Sequence, residues 1–109
     1  MPKVSIAIPT YNRAEYLDEC LRSIEKQSFQ DFVVYIFDNC SEYDLASLLK
    51  QYSHLKIILI GSDKNMGNHW NFQRIFGYDF PTEYVIIFHD DDTMHPGLLE
   101  SEVVVMDKK

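Results

Sequence analysis

Residues 89–92 read His-Asp-Asp-Asp and directly follow an apolar run, Tyr84–Phe88. Three successive carboxylates repel one another unless a cation or a set of donors compensates them. Oxygen-rich clusters of this kind suit Mg²⁺ or Mn²⁺, hard ions that join a carboxylate to the phosphates of a ligand. Asp91, Asp90 and Asp92 are therefore candidate metal ligands. The same residues also suit a solvated acidic turn ahead of a helix, since Asp and Thr favour such positions. Residue types alone leave both readings open.

Two further polar groups follow apolar runs. Asp38-Asn39 ends Phe32–Phe37, where a carboxylate can accept hydrogen bonds from a ribose or a base edge, as in dinucleotide folds. A turn with a helix cap is the structural alternative. Tyr11 and Asn12 follow Val4–Ile8 and Pro9, and the Tyr11 ring is placed either to stack on a base or to pack at the strand end. Asn65-Met66-Gly67 reads as a turn with Gly67 at positive φ. His69 and Trp70 then open a helical pattern, where a histidine is commonly just solvated and a tryptophan packs. Neither Cys20 nor Cys40 has a basic neighbour in sequence to lower its pKa, so both read as structural. No G-x-G-x-x-G or G-x-x-x-x-G-K-S/T follows a strand, so phosphates here require a metal instead of a glycine-rich cradle. No hydrolase triad order or nucleophile elbow is present.

The elements that must position these residues alternate regularly. Val4–Ile8, Phe32–Phe37, Ile57–Ile60 and Tyr84–Phe88 are short apolar runs, predicted as strands. Between them lie helical spacings: Ala14, Leu17, Leu21 and Ile24; Leu45, Leu48, Leu49 and Tyr52; and a helix over Asn68–Phe76. A last helix carries Leu99, Val103 and Met106. Pro96 is expected in that helix's first turn, and Ser41 with Asp44 resembles a capping box. Four nearly continuous hydrophobic strands, each followed by a helix, predict a Rossmann-like parallel α/β sheet covered on both faces. Such sheets bind ligands beyond the carboxyl ends of their strands, where strand order reverses. All the polar groups above fall on that rim.

The 109 residues suit one domain or half of a larger one. A hydrophobic fraction of 46% gives material for a core. Net charge is −7, from 17 acidic and 10 basic residues, which argues against nucleic acid as a partner. A phosphorylated ligand stays compatible, because a metal ion inverts the local charge. No apolar run approaches the roughly 20 residues of a membrane span, and no leader pattern precedes the first strand. With two isolated cysteines, the expectation is a cytoplasmic location, with peripheral attachment to the inner face of a membrane as a variant.

Together these segments resemble the family 2 glycosyltransferases of the GT-A fold. VSIAIPTYNRAEYLDECLRSIEKQSFQDF, continuing to FDNCS, is similar to that family's first two strands and first helix. KNMGNHWN resembles the segment before its third helix, and TEYVIIFHDDD its strand ending in the acidic metal motif. The resemblance implies a nucleotide-sugar donor, UDP-sugar favoured, bound through Mn²⁺ or Mg²⁺. It implies that Tyr11 lies beside the base and that Asp38 bonds it. Pro9, Asn12, Asn65, Gly67 and Asp90 complete the expected nucleotide environment. His89 takes the first acidic position of the D-x-D motif, Asp91 the metal-coordinating one, and Asp90 is placed to reach ribose or metal. His89 departs from the pattern, which leaves Asp90 or Asp92 as the second carboxylate. The implied reaction is displacement at the anomeric carbon with inversion.

Such enzymes run well past 200 residues, so residues 1–109 are expected to be the donor-binding half of a longer protein. The acceptor base is then expected outside this chain, and glycan, lipid and protein acceptors all stay open. A half-domain would expose apolar surface that a second copy could cover, giving a homodimer. Rival readings are a non-catalytic sugar-nucleotide or metal-binding module, a phospho-acceptor signalling domain and a nucleotidyltransferase. The last two require, respectively, acidic residues after strand one with an aspartate after strand three, and a glycine-rich basic loop. Neither pattern occurs.

Overall fold

The computed structural model describes residues 2–108. Its element order is β1 (Val4–Thr10), α1 (Ala14–Glu25), β2 (Phe32–Asp38), α2 (Leu45–Lys50), β3 (Ile57–Ile60), α3 (Asn68–Phe76), β4 (Tyr84–Ile87) and α4 (Leu98–Asp107). All strand pairs are parallel, in the order β3-β2-β1-β4. The expected α/β sheet of four strands is therefore observed. From β1 the chain steps outward to β2 and β3, then crosses back to place β4 on the other side of β1. That reversal makes the β1/β4 boundary the switch point.

Strand side chains alternate between faces, and the core divides accordingly. Val4, Ile6, Ile8, Phe32, Val34 and Ile36 point to one face, against Leu17, Leu21 and Ile24 of α1, Leu45 of α2, and Leu99 and Val103 of α4. Ala7, Val33, Tyr35 and Phe37 point to the other, covered by Ile75 of α3 and by Tyr78 and Phe80. The aromatic rings there meet edge-on or tilted, with Tyr35 and Phe80 centroids 5.0 Å apart. Burial on both faces is why β1 and β2 read as continuous apolar runs, whereas the edge strands β3 and β4 are partly exposed, Leu59 at 42% and Val85 at 41%.

Three local readings are corrected. Asp44, not Ser41, caps α2: its carboxylate accepts from the Ser47 amide and hydroxyl, while the Ser41 hydroxyl donates to Asp38. Pro96 precedes α4, whose N-cap is Gly97. The Pro96 carbonyl accepts from the Ser28 amide at 2.9 Å, which holds that residue in the connecting loop. Pro9, expected to end the first strand, lies inside β1 opposite Phe37. A proline in an interior strand needs its missing N–H to face no partner. The β1–β4 register stops at Ala7 and Ile87, and the Ala7 carbonyl takes the last bond, from the Phe88 amide. Pro9, two residues on, faces that same side after β4 has diverged. Gly67 takes φ +92 as expected. Among the described residues no helix is long and apolar enough to cross a membrane.

Candidate functional site

The divergence of β4 from β1 opens a cleft of about 470 Å³ at the switch point, within the range of small-molecule sites. From β1 and its following loop come Pro9, Thr10, Tyr11 and Arg13. From the loop after β4 come His89, Asp90 and Asp91, and from α3 come Asn68, His69, Asn71 and Phe72.

Asp90 is the most constrained of these groups. It is 6% exposed, and its Oδ2 accepts a 2.7 Å hydrogen bond from the Thr10 hydroxyl. Its Oδ1 lies 4.0 Å from Nη1 of Arg13, and the same nitrogen lies 3.3 Å from Oδ2 of Asp91. Burial raises the Asp90 carboxyl above its ordinary 3.8; the Thr10 bond and the Arg13 charge pull it back, and Asp91 adds to the rise. The acidic loop is anchored from α1. The Ser23 hydroxyl accepts from the Met94 amide at 2.9 Å, and buried Gln27 donates to the His95 carbonyl at 2.7 Å while accepting from Leu99 N. The Cys20 thiol sits under the same loop, 3.9 Å from the His89 carbonyl. Burial, reinforced by the three nearby aspartates, pushes that thiol up to about 12. Cys20 is thus an inert packing residue, as its sequence context indicated.

The other half of the rim is built differently. Asn39 is fully buried; its side chain donates to Asn65 Oδ1 and accepts from the Met66 amide, each at 2.8 Å. Asn65 Oδ1 also accepts from Gly67 N. Asn71 donates to the Phe37 carbonyl at 2.8 Å. Arg74 donates to Asn71 Oδ1 and to the carbonyls of Gly61, Asp38 and Ile60 at 2.8–3.1 Å. Its guanidinium also packs 4.8 Å from the Trp70 ring centre and 5.5 Å from that of Phe37. Asp38 accepts from Ser41 Oγ at 2.6 Å and from Ser41 N. Asn12, at φ +50, accepts from Glu42 N. The Tyr43 hydroxyl is buried without a hydrogen-bond partner among the described residues. Burial, then the charges of Asp38 and Asp90, pushes it up to about 12.

Of the residues singled out from sequence, the cleft brings together Pro9, Tyr11, His69, His89, Asp90 and Asp91. Asn12, Asp38, Asn65, Gly67 and Asp92 lie outside its wall. Arg13, Asn71 and Phe72 were not singled out. For Arg13 the available signal was its position, three residues past β1, as the one Lys or Arg between Lys3 and Arg22.

Among the described residues, no three His, Cys, Asp or Glu side chains form a group able to hold a metal on their own. Mg²⁺-type sites commonly need less from the protein: one or two carboxylates, with ligand phosphates and water completing the shell. Asp90 and Asp91 meet that requirement, since both already converge on one cationic nitrogen.

A parallel sheet flanked by helices, with its cleft at the switch point, defines a Rossmann-like α/β domain, and the comparisons with known proteins agree with that class. The model of glycosyl transferase family 2 matches residues 5–109, and the chain belongs to that family. It is 30% identical over 106 residues to the GalNAc(5)-diNAcBac-PP-undecaprenol β-1,3-glucosyltransferase of Campylobacter jejuni, covering 93% of this chain and 33% of that one. It is 26% identical over 111 residues to the poly(ribitol-phosphate) β-N-acetylglucosaminyltransferase TarS of Staphylococcus aureus, covering 99% of this chain and 19% of TarS. The crystal structure of TarS residues 1–349 superposes with a TM-score of 0.85 at 25% identity, covering 97% of this chain and 32% of that one. The fold is the N-terminal half of a GT-A fold. The chain spans about a third or less of the length of these relatives.

Proposed function

We propose that residues 1–109 form the donor-binding domain of a glycosyltransferase, holding a nucleoside-diphosphate sugar through a divalent cation. The observation that carries this reading is the convergence of Asp90 and Asp91 at the switch-point cleft, with Tyr11 in the same wall. A parallel sheet offers its ligand site at that place, and two carboxylates beside open space suit a cation shared with phosphates. The relatives' names support the class. TarS has been crystallised with UDP and with UDP-GlcNAc, which favours a UDP-sugar here. A mannosyltransferase of Pyrobaculum calidifontis, alike in fold alone at 22% identity and a TM-score of 0.70, was crystallised with GDP-Man and Mn²⁺.

In this reading Asp91 is the principal metal ligand and Asp90 the second, its outward oxygen oriented by the Thr10 bond to the other. Asp92, outside the cleft, is the least suited of the three. Tyr11 stacks on the base, and Asp38, paired in register with Thr10, takes the base edge. A divalent cation, when bound, offsets charge developing on the diphosphate leaving group. The acceptor hydroxyl attacks the anomeric carbon from the opposite side, inverting it, and no residue of this chain is assigned as its base. Mn²⁺ and Mg²⁺ both suit the donor set.

Calorimetric titration of UDP in Mn²⁺ and then in EDTA, on the parent protein and on Asp91→Ala, tests this. The expected result is metal-dependent binding that weakens at least tenfold in the variant, a loss of about 1.4 kcal/mol or more, with Asp92→Ala close to parent. Binding that ignores both EDTA and Asp91→Ala would remove the metal-bridged reading.

A further inference from the structure

We infer that Arg13 is a donor-diphosphate ligand that holds the cation position between Asp90 and Asp91 until a metal displaces it; this rests on the donor-site reading above. One guanidinium nitrogen faces both carboxylates, at 3.3 and 4.0 Å. A divalent cation bound by that pair must take the same ground, and two cations cannot share it.

The side chain is built to move. Its backbone is pinned on both sides: the Asn12 side chain accepts from Glu42 N at 2.7 Å, and the Arg13 carbonyl accepts from Leu17 N at 2.8 Å to start α1. The side chain itself is 48% exposed. Its contacts to the aspartates use a single nitrogen, not the two parallel bonds of a tight arginine–carboxylate pair. Exposed pairs of that form contribute little to stability, so exchanging the partner costs little.

The cleft's charge supplies the second line of support. Among the described residues, two aspartates and one arginine are its only Asp, Glu, Lys or Arg residues. With a divalent cation on the aspartates, the released guanidinium is the remaining positive group in the wall. It presents a planar fork of donors matched to phosphate oxygens. Arg74, the other arginine on this rim, is committed to backbone carbonyls. Arg13 thus plays two parts in sequence: counterion of the acid pair, then clamp on the diphosphate.

The test follows Mn²⁺ alone, UDP at saturating Mn²⁺, and uridine at saturating Mg²⁺, the first two by calorimetry and the last by NMR shifts. The parent is compared with Arg13→Gln and Arg13→Lys, each checked for an unchanged circular dichroism spectrum. Arg13→Gln is expected to bind Mn²⁺ alone more tightly and UDP roughly tenfold more weakly, with uridine unchanged. Arg13→Lys is expected to recover part of the UDP affinity. UDP affinity within about twofold of parent in Arg13→Gln, or equal losses for UDP and uridine, would overturn the inference. A parent protein that binds no UDP in Mn²⁺ would overturn the donor-site reading first, and this inference with it.

Discussion

The two arginines of the rim, Arg13 ahead of α1 and Arg74 in α3, do opposite things. On the β2/β3 side, Arg74 fills three backbone carbonyls and a side-chain oxygen, and it lies between two aromatic rings. On the β1/β4 side, Arg13 touches two carboxylates with one nitrogen and stands half in solvent. Apart from the buried Tyr43 hydroxyl, one half of the rim has its hydrogen bonds closed within the protein, and the other keeps polar capacity for something else. Burial separates them further. Asn39 is sealed and fully partnered, whereas Asp90 is sealed with its charge only partly compensated. A closed network makes a rigid frame, and an under-satisfied one makes a site.

The sharpest way to break the comparison is Arg74→Ala. It leaves several β2 and β3 carbonyls without their donor and should cost about 3 kcal/mol in urea unfolding. Arg13→Ala should cost under about 0.5 kcal/mol, as exposed pairs do. Equal losses would mean that the two halves are built alike.

Thr10→Val comes next, with an expected cost of about 2 kcal/mol at neutral pH, since it removes a buried bond to an ionised carboxylate. It also sharpens the pH behaviour. The folded-state pKa of Asp90 lies above its ordinary value, so the folded chain binds more protons there than the unfolded one. Its contribution to stability is fully present below the unfolded pKa and is lost as pH rises through the folded pKa. Metal-free parent protein should therefore fall behind Asp90→Asn as pH is raised from acid toward neutral, followed by thermal unfolding at each pH. In Thr10→Val the step should move to higher pH, because the bond that lowers the Asp90 pKa is gone. A parent and an Asp90→Asn variant that track together across that range would contradict the uncompensated charge.

The smallest effect concerns Cys40, held at φ +66 on the turn between Asp38 and Ser41. A left-handed conformation costs a residue with a Cβ about 1–2 kcal/mol, and glycine avoids that while giving back part in chain entropy. Cys40→Gly should raise stability by about 0.5 kcal/mol, measurable as a higher Tm. Destabilisation instead would show that the thiol's packing outweighs the strain.

Much of this was legible in sequence because burial on both faces writes a strand as an unbroken apolar run. Phe32–Phe37 needed only that signal, whereas Ile57–Ile60 is an apolar run at the sheet edge with Leu59 exposed. The rim was legible for the same reason, since polar residues after such runs can lie nowhere else. What failed was local. The Leu45, Leu48, Leu49 and Tyr52 spacing continues past the end of α2 at Lys50, because Tyr52 is buried through a turn instead, its hydroxyl donating to the Asp18 carbonyl. The Ser41–Asp44 spacing suggested a cap, yet Asp38 took the serine hydroxyl. The pairing of Arg13 was hidden for a deeper reason: its partner Asp91 is 78 residues away, and no local pattern encodes a contact formed by chain crossover. The bonds from Asn39 to Asn65, from Asn71 to the Phe37 carbonyl and from Arg74 to the Asp38 carbonyl were hidden in the same way.

Pro9 has one more consequence. Sheets commonly recruit extended peptides by offering a free row of amides to an incoming strand. Beyond Ala7, β1 has lost β4 as a neighbour, and its next residue facing that side has no amide hydrogen to offer. A peptide strand therefore cannot zip onto β1 along the floor of the cleft. The proline reserves that gap for occupants that bind through side chains and charge, which is how a small anionic molecule binds.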